Sequence, residues 1–585
     1  MKTIDLIKKD LSKVPSLKDF KDKIELDFPK DPKFGDYSTN VAMRMAKSGE
    51  KPVEIAEKIK KELQDLNLDY IEKIEVASPG FINFFLSKVF LITQLSNLLD
   101  TSKKTVKTGQ TIVVEYTDPN PFKEFHIGHL YSNIVGESIA RTREYLGTDV
   151  KRVCYQGDVG LHVAKAIFGM QKKMKDQKLN LKDIEEKPID ERIKFLGESY
   201  ALGDREYEKN EAKNAINDLN RKIYYKDPEI LSFYEKGRKW SLEYFDLIYK
   251  RLGTSFDKFY FESDAGKKGL QIVKEHLKDG VFEESDGAII FDAQRYGLHK
   301  RVFVNSMGLP TYEAKELGLA VQKNEDFHYD LSIIVTAAEI TEYFKVLIKA
   351  LSLIYPDLAK RTVHIGHGFV KLPAGKMSSR SGNVLTAQWL LDESVSAVKK
   401  QFEDMDAETA EKVGVGAVKY SLLKSGIGRD VVFNFEESIS LEGNSGPYLQ
   451  YSYVRAKSVL ARFAGSSARR AKAKEELFSG LGLKTRSEGR QNFSNFKPEV
   501  VGSGEEGLLK KLVKFNDQTF FTDDFSQHNL CNYLYELASI FNLFYAKNPI
   551  LKSENEGFRL ALTKAVANIL EQGLGLLGIE TPSRM

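Results

Sequence analysis

The chain has 585 residues, a formal charge of +4 at pH 7 and two cysteines, Cys154 and Cys531. That length predicts several units each able to bury its own core, and two cysteines exclude both a disulfide framework and a cysteine-based zinc site. With 42% hydrophobic and 29% charged residues, and no apolar run of the roughly 18 residues that a membrane span needs, the composition is that of a globular cytoplasmic protein.

Residues 1–108 read as a small α/β module. The opening MKTIDLIKKDLSKV carries acids as well as lysines and predicts an amphipathic helix, not a signal peptide. A second helix is expected over 52–66. Short strands are expected at 24–28 and 74–78, and GFINFFL (80–86) follows a Pro-Gly turn as another. Phe34–Asn40 (FGDYSTN) reads as a turn and a helix start with a structural role. The polar stretch 105–110 reads as a linker.

From Thr111 the pattern turns β-α-β: a strand over 111–116, a turn rich in Pro and Asn, a long helix from about Gly128 to Leu146, and a strand over 151–155 followed by QGDVG. The alternation predicts a parallel, Rossmann-like sheet with ligands at the carboxyl ends of its strands. At the turn stands His126-Ile127-Gly128-His129. A buried strand feeding a helix N-terminus offers free backbone N–H groups and a favourable dipole to an anion. Two imidazoles three residues apart leave one side of the helix start, an arrangement suited to a polyphosphate without a P-loop lysine. The same tetrapeptide recurs at His364–His367 with no helix-forming run after it; only the first copy follows a strand and opens a helix. Gly157 and Gly160 let backbone approach a ligand closely.

Residues 172–253 are long, charged and helical, an insertion whose aromatic residues (Tyr224, Tyr225, Phe233, Trp240, Tyr244, Phe245) are expected to form its core. Strands return at 287–291 and 301–304. PTYEAKELGLAV sets Tyr312 and Glu316 on one helical face at i, i+4. A buried strand, a turn and a helix follow, and RTVHIGHGFVKLP closes the sheet. It delivers AGKMSSRSGN (374–383), a loop rich in donors and suited to closing over phosphates. Beyond Thr386 the pattern is helical: a stem over 386–446, then an all-α bundle built on 447–463, 507–515, 527–545 and 557–577. A segment rich in Ser, Gly, Lys and Arg, about 465–504, interrupts it as an insertion or disordered loop. Arg455 to Lys514 holds 14 Lys/Arg against 6 Asp/Glu, which suits a phosphate backbone or, equally, a basic solvated linker.

HIGH at a strand–helix turn and GKMSS about 250 residues later are each weak, but the pair in this order resembles the class I aminoacyl-tRNA synthetases. Within them the chain resembles the arginyl-tRNA synthetase family over nearly its whole length. The stretches that carry the likeness are FGDYSTNVAMRMA, PGFINFFLS, EYTDPNPFKEFHIGHL, YQGDVG, PTYEAKELGLA, GKMSSRSGN, GNSGPYLQYSYVRAKS and the closing LGLLGIETPSRM. The resemblance implies activation of L-arginine by ATP to arginyl-adenylate and transfer to the 3′-terminal ribose of tRNA-Arg, with activation requiring tRNA. It further implies a monomer that uses ATP with Mg2+ and has neither a protein-bound metal site nor a membrane partner.

The roles it implies are these. His126 and His129 stabilise charge at the α-phosphate, and Gly128 leaves room for adenine and ribose. Lys376, Met377, Ser378 and Ser379 close over the outer phosphates, and His364, Gly368, Phe369 and Val370 belong to the adenine pocket. Where the general class I loop has a second lysine, this chain has Ser379; in the arginyl family a lysine just before HIGH takes over, here Lys123. A guanidinium demands a carboxylate fork and an aromatic or amide wall, which Glu115, Asn120, Tyr312 and Glu316 supply by family position, with Glu316 where many members have Asp. Phe81 and Asn83 match the contact to the tRNA D loop. Tyr451, Tyr535 and Met585 are anticodon-reading candidates, though both tyrosines fit bundle core equally well. The implied division is a D-loop module (1–108), a catalytic domain (109–385) with its insertion at about 172–253, a stem (386–446) and an anticodon-binding domain (447–585). Two alternatives stand beside this reading: a class I synthetase for another amino acid, and a non-catalytic tRNA-binding paralogue. Missing Cys-rich zinc spacing weakens cysteine and methionine, and intact HIGH and loop lysines weaken the paralogue.

Overall fold

The computed structural model describes residues 2–99, 106–373, 385–465, 501–518 and 525–585. The N-terminal segment is an antiparallel sheet of β1 (Tyr37–Thr39), β2 (Ile71–Ala77) and β3 (Phe81–Leu86) in the order β1-β3-β2. The helix Pro52–Gln64 buries Ala56, Ile59 and Leu63, one apolar stripe. The strand expected at 24–28 is only a bridge from Asp27 to Ser38; Pro29 and Pro32 follow at once, and neither can donate to a ladder. The third strand comes instead from FGDYSTN, which was read as a turn and helix start. That motif also anchors the module. Buried Asp36 accepts the Leu86 N–H (2.9 Å) and faces Lys514 (3.3 Å), and the Tyr37 hydroxyl donates to Asp517 (2.5 Å).

The central sheet starts with β4 (Thr111–Glu115), β5 (Asp149–Gln156) and β6 (Lys258–Phe261). The strands read at 287–291 and 301–304 do not join it. They form a separate antiparallel sheet of β7 (Glu283–Ser285), β8 (Ala288–Phe291) and β9 (Arg301–Val304). The chain then returns through β10 (Leu331–Ala337) and β11 (Thr362–His367), giving the order β11-β10-β4-β5-β6 with every pair parallel. Ile112, Val113 and Val114 are all buried, as a strand covered on both faces requires. Winding runs one way from β4 to β6 and the other way from β4 to β10. The order therefore reverses between β4 and β10, where an α/β sheet opens a crevice at its carboxyl edge.

Four long helices occupy the region of the insertion and its entry, Leu161–Gln177, Ile189–Glu206, Asn210–Tyr224 and Pro228–Leu252, with a short one at Leu181–Glu185 between the first two. Trp240, Tyr244 and Phe245 are buried as expected, whereas Tyr225 is 73% exposed. A Cβ on Gly169 would collide with the Ser199 carbonyl, and one on Gly203 with the Lys165 carbonyl, so these glycines let the first two helices cross in backbone contact. Downstream, the stem contains Ala387–Gln401 and Ala407–Leu423. The bundle follows with Gly446–Ala464, Ser503–Val513, Gln527–Lys547 and Glu556–Leu576, each within a few residues of its expected span. Among the described residues, no helix is long and apolar enough to cross a membrane.

Candidate active site at the sheet switch point

The helix Ile127–Tyr145 begins where β4 ends, and HIGH caps it with its own side chains. His126 is the N-cap: its Nδ1 accepts from the N–H groups of Gly128 (3.1 Å) and His129 (3.4 Å). The His129 Nδ1 accepts in return from the His126 N–H (3.3 Å), and the two rings stack at 3.5 Å. This is a capping box made of imidazoles. Since each Nδ1 accepts, each neutral ring carries its proton on Nε2. Both rings stay neutral: burial and then the Lys123 cation push His126 down to about 4, and burial, His126 and Lys123 hold His129 well below the usual range. A Cβ on Gly128 would press the His126 ring, so the glycine also keeps that ring in place. Lys123 is half-buried, with its ammonium 4.6 Å from the Tyr200 ring centre.

The insertion grips this loop, which its bulk composition did not suggest. Ser241 accepts the Phe122 N–H (2.9 Å), and Phe125 packs edge-on against Phe245 and Tyr249. The sequel to the GKMSS loop reaches the same place: the Ile127 N–H donates to Leu385 (3.0 Å) and the Ala387 N–H to Phe125 (2.8 Å). Lys376, Met377, Ser378 and Ser379 themselves lie outside the described residues, as does most of the 465–504 segment.

Beside HIGH, at the carboxyl ends of β4, β5 and β10, lies a cavity of about 310 Å³. All four residues read as arginine-binding line it: Glu115, Asn120, Tyr312 and Glu316. Tyr312 and Glu316 come from the first turns of the helix Tyr312–Phe327, on one face as expected. A Cβ on Gly157 would strike the Asn120 side chain, so this glycine admits that amide, and it also lines the cavity. Residues the sequence reading missed complete the walls, among them Asp118, Tyr155, Glu262, Arg301, Glu313 and Tyr343. Five of the lining side chains are carboxylates. Glu115 is paired with buried Lys323, Glu262 with Lys315 (2.6 Å), and Glu313 lies 3.7 Å from Arg301. Lys323 follows Glu316 by two helical turns on the same face, a signal that was available: a lysine on the inner face of an amphipathic helix has to meet a buried acid. The Asp158 of QGDVG is fully buried and structural, accepting from Ser263, Tyr234 and Arg238.

The second HIGH copy is strand. His364 stacks on Phe344 at 4.1 Å and bonds Thr336 (2.7 Å), which puts it on the far side of the cavity wall, and burial pushes it to about 4. Gly368 packs against the Arg429 carbonyl, the Phe369 N–H donates to Asp430 (2.9 Å), and Val370 opens a short strand paired with Val431. Phe369 is exposed.

The tRNA candidates divide. Phe81 is exposed, but Asn83 is buried with its oxygen accepting from Ser38 (2.7 Å), so the structure does not bring Asn83 to the surface as a base reader would need. Tyr451 and Tyr535 are half-buried: Arg455 donates to the Tyr451 hydroxyl (3.0 Å), and Tyr535 packs on Tyr448. Met585 is partly buried against the stem and bundle cores.

Comparison with known proteins gives matches along the whole chain. Residues 93–435 match the family model for tRNA synthetases class I (R), catalytic domain; residues 1–86 match the arginyl tRNA synthetase N terminal domain, and residues 449–585 the DALR anticodon binding domain. The chain is 30% identical to the arginine–tRNA ligase of Clostridium perfringens, with 96% of each chain covered, and 31% identical to that of Treponema denticola, with 95% and 94% covered. Arginyl-tRNA synthetases of Plasmodium falciparum and Thermus thermophilus share the fold at TM-scores of 0.78, with 23% and 22% identity over 99% or more of each chain.

Proposed function

The chain belongs to the class I arginyl-tRNA synthetases and charges tRNA-Arg with arginine at the expense of ATP, and from that premise we propose how its residues divide the work. Arginine lies in the carboxylate-lined cavity with its own carboxylate toward HIGH. An oxygen of that carboxylate attacks the α-phosphorus of ATP, which enters as its magnesium complex; the bond to the β-phosphate oxygen breaks and pyrophosphate leaves. The 3′-terminal ribose of tRNA-Arg then attacks the acyl carbon and AMP leaves.

Chemistry of this kind needs position and charge neutralisation more than a protein nucleophile. His126 and His129 serve as neutral Nε2–H donors to the α-phosphate, and Lys123 supplies the positive charge that Ser379 cannot. Lys376, Met377, Ser378 and Ser379 cover the outer phosphates. Gly128, His364, Gly368, Phe369 and Val370 shape the nucleotide side. Glu316 takes the guanidinium against the Tyr312 ring and the Asn120 amide, and Glu115, already paired with Lys323, forms the floor. Phe81 stacks on a D-loop base, and Tyr451, Tyr535 and Met585 face the anticodon loop. The same reading takes the enzyme as a cytoplasmic monomer that activates arginine only with tRNA bound, and it keeps the four-part division at 1–108, 109–385, 386–446 and 447–585.

The observation that carries the arginine site is charge: a cavity beside HIGH lined by five carboxylates and a single cation, Arg301, suits a cationic side chain. Glu316→Gln is the test. It is expected to raise the arginine KM about 10- to 100-fold, the loss of one charge-assisted contact, with the ATP KM unchanged. An unchanged arginine KM would remove Glu316 from the site.

A further inference from the structure

Lys123 is a cation that the fold leaves without an acid. It forms no ion pair among the described residues, and its ammonium faces the ring of Tyr200, 4.6 Å from the centre. Three other lysines lie against aromatic rings of the same insertion, and each also binds an acid. Lys165 lies over Tyr207 and binds Asp204 (2.8 Å), Lys173 lies over Phe195 and binds Glu198, and Lys315 lies near Tyr224 and binds Glu262 (2.6 Å). Glu124, the chain neighbour of Lys123, lies against the helix Ile189–Glu206: a Cβ on Gly197 would stand 3.2 Å from its side chain.

The difference matters for a group that has to meet phosphates. A carboxylate fixes an ammonium but cancels its charge, and a phosphate must then compete for it. An aromatic face holds a cation within about 6 Å and leaves its charge whole. The backbone of Lys123 is already pinned. On one side the Phe122 N–H donates to Ser241 (2.9 Å), and the Phe122 ring fills a notch where a Cβ on Gly237 would collide with it. On the other side Phe125 packs edge-on against Phe245. What stays free is a flexible four-carbon stem, and the Tyr200 ring decides where its end lies. That place is beside HIGH, since after burial the same ammonium depresses both His126 and His129.

We propose that Tyr200 is a positioning residue whose ring seats the Lys123 ammonium beside the HIGH imidazoles without neutralising it; this rests on Lys123 being the cation that serves the ATP phosphates. The inserted helices then reach the chemistry through one ring as well as through the packing of the loop. A leucine in place of Tyr200 would fill the space and leave the end of the lysine free to swing into solvent.

The test is single-turnover activation of arginine at saturating ATP and tRNA-Arg, read in variants of the full chain. Tyr200→Leu is expected to lower the rate about 3- to 30-fold, the worth of one cation–aromatic contact, with the KM of arginine and of ATP within about threefold. Tyr200→Met, a second filling of the same space without an aromatic face, should repeat this. Tyr200→Phe keeps the ring and should restore the rate to within about twofold. In a Lys123→Ala background no ammonium is left to seat, so adding Tyr200→Leu should cost nothing further, as groups that act as one unit are not additive. If the two losses multiply, if Tyr200→Phe falls as far as Tyr200→Leu, or if Tyr200→Leu leaves the rate unchanged, the proposal is overturned while Lys123 keeps its role. If Lys123→Ala alone leaves the rate unchanged, the reading of Lys123 fails and the proposal falls with it.

Discussion

Lys123 and the two HIGH imidazoles form one electrostatic unit. Burial, with the ammonium as a lesser cause, keeps the rings neutral, and neutral rings with the proton on Nε2 act as donors at any pH near neutrality. Replacing Lys123 with alanine should therefore have two effects. The activation rate falls about 100-fold, as befits a charge acting mainly in the transition state, while the arginine KM moves by less than about threefold. Single-turnover activation measures this, and an unchanged rate would make Lys123 an ordinary loop lysine. In addition, without the cation His126 protonates more readily, so its value rises from about 4 and the acid limb of the rate profile moves to higher pH. The same depressed values set acid stability. His126 and His364 lie at about 4 and His162 at about 3, burial being the main cause in each, against 6.5 in the unfolded chain. Between those limits the unfolded chain binds protons that the folded one does not, so stability falls as pH drops from about 6.5 toward 4. Thermal melts at pH 7 and pH 5 should show that fall, and His162→Asn should shrink it; an equal fall in the variant would count against His162.

At the scale of elements, a rigid loop between β4 and the HIGH helix is held by the inserted helices, so packing far from the substrate sets the site. Gly203→Ala illustrates which effect wins. Alanine favours a helix interior by about 1 kcal/mol over glycine, but its Cβ meets the Lys165 carbonyl, and forced helix separation costs about 1–3 kcal/mol. Net destabilisation is expected in urea unfolding, with kcat falling as the loop loosens; a more stable variant would show that the helices part freely. Periodicity made four strands of the parallel sheet (β4, β5, β10 and β11), the HIGH helix and the bundle helices legible, because each buries a regular apolar stripe or run. It did not reveal β6, a four-residue edge strand, nor β1, whose Tyr37 and Ser38 look like turn residues until β3 pairs with them. The site followed the same rule. Residues within motifs were found, whereas Glu262, Arg301 and Tyr343 enter the cavity from elements that meet only in three dimensions.

Over the whole molecule, the catalytic sheet and the terminal bundle share a clasp of two cations. Arg141 of the HIGH helix donates to the carbonyls of Gly253 (2.9 Å) and Gly575 (3.3 Å), Ser138 to Leu576 (2.9 Å), and buried Lys419 to Leu252 (2.7 Å) and Gly578. These carbonyls close the long helix of the insertion and the last helix of the bundle, where unpaired acceptors and the negative dipole ends gather. Lys419→Met should cost about 2–4 kcal/mol by leaving two buried carbonyls without donors, and should slow charging at saturating tRNA with the arginine KM little changed. Thermal unfolding and aminoacylation kinetics check both; full stability would show that the clasp is idle. One cavity beside HIGH is expected to activate arginine, and only when tRNA is engaged at the far end of the clasp. Pyrophosphate exchange with each amino acid, with and without tRNA-Arg, tests this most directly: exchange is expected with arginine alone and only when tRNA is present, and exchange with another amino acid, or with arginine in the absence of tRNA, would contradict it.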